Sequence, residues 1–251
     1  MAGSCFADRL GGWIELTDGE RAALARLEER ERHLRRGAML VRENDRISEL
    51  FVLRQGMMMS YLLLDDGSRQ ILRFHFPGDM LAMPGLAYRE SPETIAALND
   101  CVVAPFDRSL MTDLVVQHPR LAAAMAAIAQ MERTMSTDRL AAIGRTSAKA
   151  RVAALLLELR ARLNESYGAR VADHKASFAP GLTQEEIGDA TGLTAVHVNR
   201  MLRQMEEERL IARGNGRVTL LDEGRLRRAA SYVDRLEGLD LGWLPPPAER
   251  G

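Results

Sequence analysis

Apolar and polar positions change their spacing twice along the chain. Over about residues 16–30, Ala23, Leu24 and Leu27 share one face and charges fill the other, which predicts a helix. Thr17-Asp18-Gly19-Glu20 opens it as a capping box, with Trp13 and Ile14 placed to staple its start. From about Glu31, short segments rich in Val, Leu, Phe and Tyr alternate with turn residues: Arg36-Gly37, Asn44-Asp45, Gln55-Gly56, Asp65-Asp66-Gly67 and Pro77-Gly78-Asp79. That spacing predicts a small antiparallel sandwich or barrel whose last strands lie in Thr94 to Phe106. Asp66-Gly67, between Tyr61-Leu62-Leu63-Leu64 and Gln70-Ile71-Leu72, predicts a hairpin.

Helical spacing returns after His118-Pro119. Leu121, Ala124, Ile128, Met131, Met135, Asp138 and Ala142 fall at alternating steps of three and four, a coiled-coil seam in which Asp138 alone is polar. Such a row packs either on a second copy or on the chain's own barrel. A further apolar row, Met125, Leu140 and Ile143, is available to the barrel, so the seam is expected to form a homodimer. The periodicity stutters at Gly144-Arg145-Thr146-Ser147, the expected hinge. A helix with two apolar faces follows from Arg151 to about Leu163, and 164–180 is a polar connection.

Leu182 to Ile211 predicts two short helices joined by a tight turn. Thr183 and Glu186 form a second capping box, Gly188 allows close approach, Gly192 ends the first helix, Leu193 drops into the core and Thr194 caps the second helix. Val198, Met201, Leu202 and Met205 face inward, leaving Ala195, Val196, His197, Asn199, Arg200 and Arg203 near the start or on the outer face. An ordinary αα-hairpin has the same outline; a helix presented to a DNA major groove is the favoured reading. Leu210 to Leu220, turning at Asn215-Gly216, adds a β-hairpin wing with Arg213 and Arg217 flanking its tip. Asp222 caps a basic helix with Arg225, Arg227 and Arg228, and the tail is expected to be loose.

With 46% hydrophobic residues in 251, the chain can bury a sizeable core, divided between two domains. Its net charge of −1, from 34 basic and 35 acidic residues, leaves DNA attraction to local basic patches. Two cysteines do not make a disulfide framework and suit a reducing cytoplasm. No signal peptide is recognised and no apolar run reaches the roughly 18 residues of a membrane span, so a soluble, cytoplasmic protein without membrane contact is expected. No metal-ligand cluster, nucleophile elbow or phosphate-cradling loop is found, and an enzyme is not expected.

A glycine-punctuated β-roll, a long helix, a hinge and a winged helix-turn-helix, in that order, resemble the CRP/FNR family of transcription regulators. The resemblance runs from about Leu16 to Tyr232 and is most specific in LTQEEIGDATGLTAVHVNRMLRQME. It implies an α+β fold: a β-roll at 1–117, a dimerisation helix and hinge at 118–145, a DNA-binding domain at 146–236 and a tail at 237–251. It also implies a homodimer on a two-fold operator, with RNA polymerase as a partner. Arg200 matches the arginine that family members direct at a guanine, with His197 and Asn199 at neighbouring reading positions. Val196 stands where many members carry a cytosine-reading glutamate; it can only pack, for example on a thymine methyl, so the half-site should be atypical. Thr183, Thr194, Arg203, Arg213 and Arg217 are the expected phosphate contacts.

The resemblance implies an effector pocket around Gly78, Asp79, Arg89 and Thr94. Where cAMP-binding members end that segment with Arg-Ser or Arg-Thr, this chain has Glu93-Thr94, which sets a carboxylate against the phosphate. The family's iron–sulfur cluster needs four cysteine ligands. Haem would fall to His75, which alternates with Phe74 and Phe76 on a strand and reads as a solvent-edge residue. Cys101 is expected to be buried on a strand and Cys5 to lie near a mobile terminus, with nothing to lower either thiol pKa. No cofactor or metal is expected. The alternative function is a ligand- or partner-binding module without specific DNA reading, which the acidic run Glu206-Glu207-Glu208 favours.

Overall fold

The capping box at Thr17 forms as its sequence predicts. The structure is a computed structural model and describes residues 3–167 and 177–247. Thr17 Oγ1 accepts from the Glu20 N–H at 3.1 Å, and Glu20 Oε2 accepts from the Thr17 N–H at 2.9 Å, starting α2 (Asp18–Arg26). A helix absent from the expectations, α1 (Cys5–Gly11), precedes it. Seven residues are too few to display a period, and tertiary contacts hold it instead. The buried Glu28 accepts from the N–H groups of Cys5 and Phe6 (3.1 and 3.0 Å) and from the Ser4 hydroxyl (2.6 Å), satisfying donors that a helix start leaves open.

The expected strands follow as β1 (Arg32–Leu34), β2 (Met39–Val41), β3 (Leu50–Gln55), β4 (Met58–Leu63), β5 (Arg69–His75), β6 (Met80–Leu81), β7 (Thr94–Ala97) and β8 (Cys101–Phe106). They form two four-stranded sheets, ordered β1-β8-β3-β6 and β2-β7-β4-β5. Val52, Met58, Ile71, Ile95 and Val103 are among their fully buried side chains. The turn between β3 and β4 demands glycine: Gly56 has φ +92°, and a Cβ there would lie 2.6 Å from the Asp100 carbonyl oxygen.

Two helices come next, α3 (Arg108–Gln117), which the periodicity did not separate, and α4 (Pro119–Arg145). On α4 the expected seam is corrected. Leu121, Ala124, Ile128 and Met131 are buried within the single chain, so this part of the row is core and not a face left for a second copy. Leu140, assigned to the barrel side, is 72% exposed. A three-four row states that one helix face is covered, and by itself says nothing of what covers it.

The chain divides into two compact units: Met1–Leu62, Phe74–Arg133 and Leu239–Gly251 in the first, Leu63–Arg73 and Thr134–Gly238 in the second. The tail is not loose where it is described. Leu241 and Leu244 are buried in the chain, and the Pro245 carbonyl accepts from Arg120 Nε at 2.7 Å. The expected connection over 164–180 and the tail's end lie partly, at 168–176 and 248–251, outside the described residues.

In the second unit a helix break falls at the stutter: α4 ends at Arg145 and α5 (Ala148–Tyr167) begins after Ser147, whose Oγ accepts from the Ala150 N–H at 3.2 Å. Both apolar faces of α5 are used, with Val152, Ala153, Leu155, Leu156 and Leu159 buried. After it come β9 (Ser177–Phe178), α6 (Gln184–Thr191), α7 (Ala195–Glu207), β10 (Ile211–Gly214), β11 (Arg217–Leu220) and α8 (Glu223–Ala230). Asp222 Oδ1 caps α8 through the Arg225 N–H at 2.8 Å.

Candidate nucleic-acid interface

Two capped helices and a glycine turn position the recognition surface. Thr183 Oγ1 accepts from the Glu186 N–H (3.1 Å) and Glu186 Oε2 from the Thr183 N–H (2.7 Å), so the capping box of α6 is complete. Gly192 ends α6 at φ +65°, a left-handed conformation that glycine adopts without steric penalty. Gly188 is required by the turn backbone itself: an added Cβ would collide with the Leu193 carbonyl oxygen. Leu193 is half-buried, less than a core residue. Thr194 Oγ1 then accepts from the His197 N–H at 3.2 Å and starts α7. Thr183 and Thr194 are both exposed, and each hydroxyl retains its own proton to donate to a phosphate.

The inward row of α7 is as expected, with Val198, Met201, Leu202 and Met205 buried. The opposite face is brought together at the helix start. Val196 is 82% exposed, Arg200 and Arg203 are exposed, and His197 and Asn199 are half-buried beside them. Arg200 Nη2 lies 3.0 Å from His197 Nε2.

The wing is three-stranded, ordered β10-β11-β9, because Phe178 and Ser177 pair with Val218 and Thr219. Its tip turns at Asn215 (φ +51°) and Gly216 (φ +71°), the double left-handed geometry of a type I′ turn. The two wing arginines differ. Arg217 stays exposed, with Nε and Nη2 donating to Ser177 Oγ and O (3.1 and 2.9 Å). Arg213 is half-buried and ion-paired with Glu206, Nη2 to Oε2 at 2.6 Å. Its hydrogen bond to Glu206 holds that carboxyl below the usual carboxylate range. Of the two expected phosphate contacts of the wing, Arg213 thus has its charge partnered within the chain.

Two supports were not foreseen. Lys149 Nζ holds Glu208 at 2.8 Å, and Arg69 Nη2 meets Asp189 of α6 at 2.7 Å, with Gln70 Nε2 donating to the Asp189 carbonyl at 2.8 Å. No local spacing announces partners so distant in the chain. The acidic run that favoured the alternative function thus has Glu206 and Glu208 neutralised by the chain's own cations. Nor does any spacing indicate that Met135 and Ala142 line a cavity of about 350 Å³ in this unit with Leu155, Ala190 and Tyr232.

The comparisons with known proteins accord with this geometry. Residues 150–229 match the model of the Crp-like helix-turn-helix domain, and residues 31–118 match that of the cyclic nucleotide-binding domain. The nitrogen fixation regulation protein FixK of Bradyrhizobium diazoefficiens is 32% identical over 203 residues, 79% of this chain and 81% of the relative. The chain belongs to the CRP/FNR family. The transcriptional activatory protein AadR of Rhodopseudomonas palustris is 31% identical over 202 residues, again 79% of this chain and 81% of the relative. The solved structure of FixK2 from Bradyrhizobium japonicum superposes with a TM-score of 0.72 at 27% identity, covering 82% of this chain and 98% of that one. This CRP/FNR member is a DNA-binding transcription regulator with the α+β architecture of its relatives. Among its described residues, no helix is long and apolar enough to cross a membrane.

The roll's four expected pocket residues have different surroundings. Gly78 (φ +88°) lies directly beneath α1, where a Cβ would stand 2.9 Å from that of Arg9. Asp79 is buried and ion-paired with Arg9, while its Oδ2 accepts from the Phe76 N–H at 2.9 Å. Thr94 is buried with its hydroxyl accepting from the Glu43 N–H at 3.0 Å, and Arg89 is exposed. Of the two arginines named here, Arg9 is paired with Asp79 and Arg89 stands at the surface. His75 is corrected from the solvent edge to the interior, 1% exposed, with Nε2 2.7 Å from Ser60 Oγ. Cys101 is buried on β8 as expected, whereas Cys5 sits in α1, half-buried, its thiol donating to the Arg54 carbonyl at 3.5 Å. Burial pushes both thiols up, away from the reactive thiolate.

Proposed function

We propose that the protein acts as a homodimer on a two-fold related DNA site, each copy inserting the start of α7 into a major groove. The observation carrying this reading is the Thr194-capped start of α7, which presents Val196, His197, Asn199 and Arg200 as one outward cluster. Arg200 supplies a fork of donors matched to the O6 and N7 acceptors of guanine. Val196 offers a thymine methyl an apolar contact and gives cytosine no acceptor. Thr183, Thr194, Arg203 and Arg217 position the duplex through phosphates, with Arg213 as a brace for the wing.

Regulation proceeds without cAMP, haem or an iron–sulfur cluster. Supporting this are the pairing of Asp79 with Arg9, the buried bond of His75 to Ser60, and the presence of two cysteines where a cluster needs four. RNA polymerase is the protein partner and the cytoplasm the compartment. Genomic footprinting tests the reading. The expected result is protected half-sites related by a two-fold axis and spaced about one helical turn, roughly 10 base pairs. Uniform protection without sequence preference would overturn it.

A further inference from the structure

The contact between His197 and Arg200 has only one chemical form. A guanidinium carries donors and no acceptor, so His197 Nε2, 3.0 Å from Arg200 Nη2, must be the acceptor. The ring is then neutral with its proton on Nδ1. A second proton, taken from solvent onto Nε2, removes the acceptor and sets two cations side by side. From this geometry we infer that His197 is a positioning residue for Arg200, and that its protonation releases Arg200 and lowers sequence discrimination. The inference rests on Arg200 being the guanine reader.

Positioning matters because an exposed arginine loses much rotamer freedom when it docks bidentately on a base. His197 is fixed near the helix start, where its own N–H is bonded to Thr194, and it lies one turn before Arg200 on the same face. The charges on the elements packed against α7 are largely engaged elsewhere. Glu186 closes the α6 capping box, Asp189 meets Arg69, Arg151 Nη1 donates to the Thr191 carbonyl, Lys149 holds Glu208, and Arg213 holds Glu206. Glu185 is exposed in the first turn of α6, and Arg203 is exposed one turn beyond Arg200. Among the described residues, the polar contact of the His197 ring is with Arg200.

The test measures the ratio of specific to non-specific DNA affinity for wild type, His197→Gln, His197→Ala and Arg200→Ala at pH 8 and pH 5.5. Glutamine retains an acceptor that does not titrate. At pH 8, His197→Ala should lose roughly three- to tenfold in the ratio, the worth of one hydrogen bond, and His197→Gln, which keeps an acceptor, should lose less. At pH 5.5, wild type should fall towards His197→Ala and His197→Gln should hold. Circular dichroism at both pH values confirms that each variant is folded. Parallel pH profiles for wild type and His197→Gln, or an unchanged ratio for His197→Ala at pH 8, would overturn the inference. If Arg200→Ala itself keeps full discrimination, the reading of Arg200 falls first, and the two failures are distinguishable.

Discussion

Glu206 grips Arg213 twice, through a 2.6 Å ion pair with the guanidinium and a 3.1 Å hydrogen bond from the backbone N–H, fastening the end of α7 to the first strand of the wing. Because the Arg213 hydrogen bond lowers the carboxyl's pKa, the folded state binds this proton more weakly than the unfolded state. The contribution is therefore fully present above the usual carboxylate value, about pH 4.3, and is lost below it, as pH falls through the lowered folded-state value. Glu208, lowered chiefly by Lys149, behaves alike. Thermal melting between pH 6 and pH 3 should show a shallower acid loss in Glu206→Gln than in wild type. Equal slopes would show that the pair adds nothing.

Gly188 is the tightest point of the helix-turn-helix. The Leu193 carbonyl that an added Cβ would strike is backbone and cannot swing aside. Gly188→Ala should cost about 1–3 kcal/mol in urea denaturation and weaken specific DNA binding. Gly214→Ala, where a Cβ meets open space, should be milder in the same assay.

On α4, Ile128→Glu buries a charge in the chain's own core and should abolish cooperative unfolding. Leu140→Glu, at a site 72% exposed, should leave circular dichroism unchanged. Sedimentation alongside these measurements separates fold from assembly. A folded, monomeric Ile128→Glu would restore the seam that its spacing predicted.

Arg9 and Asp79 are 3% and 4% exposed at their side chains. Arg9→Met strands a carboxylate and should destabilise the first unit by about 3–5 kcal/mol. Adding Asp79→Asn, which removes the charge and retains an acceptor for the Phe76 N–H, should recover most of the loss. Failure of the second substitution to recover stability would show that Arg9 acts through packing on Trp13, 4.9 Å from its ring centroid, and not through its charge.

Elements bounded by local chemistry were legible in the sequence. Thr17, Thr183, Thr194 and Asp222 all cap where their spacing places them, and Asp66-Gly67, Gly192 and Asn215-Gly216 all turn. Caps and turns depend on residues within three or four positions, so one chain carries the whole signal. What was illegible depends on partners far along the chain. The covering of α4, the docking of α1 on Gly78, the burial of His75 and the third wing strand at Ser177 arise from contacts to which no spacing points. At the recognition surface, the outward cluster was legible from helical period, whereas Glu206 neutralising Arg213 required the fold.

The central claim is that Arg200 reads one base, and a cycle of protein and DNA substitutions tests it most directly. Equilibrium binding is measured for wild type and Arg200→Ala on the footprinted site and on sites with each half-site guanine replaced. Wild type should lose roughly 5- to 150-fold, about 1–3 kcal/mol, at one guanine per half-site, and Arg200→Ala should be indifferent to that replacement. Equal losses for both proteins at every guanine would contradict the account.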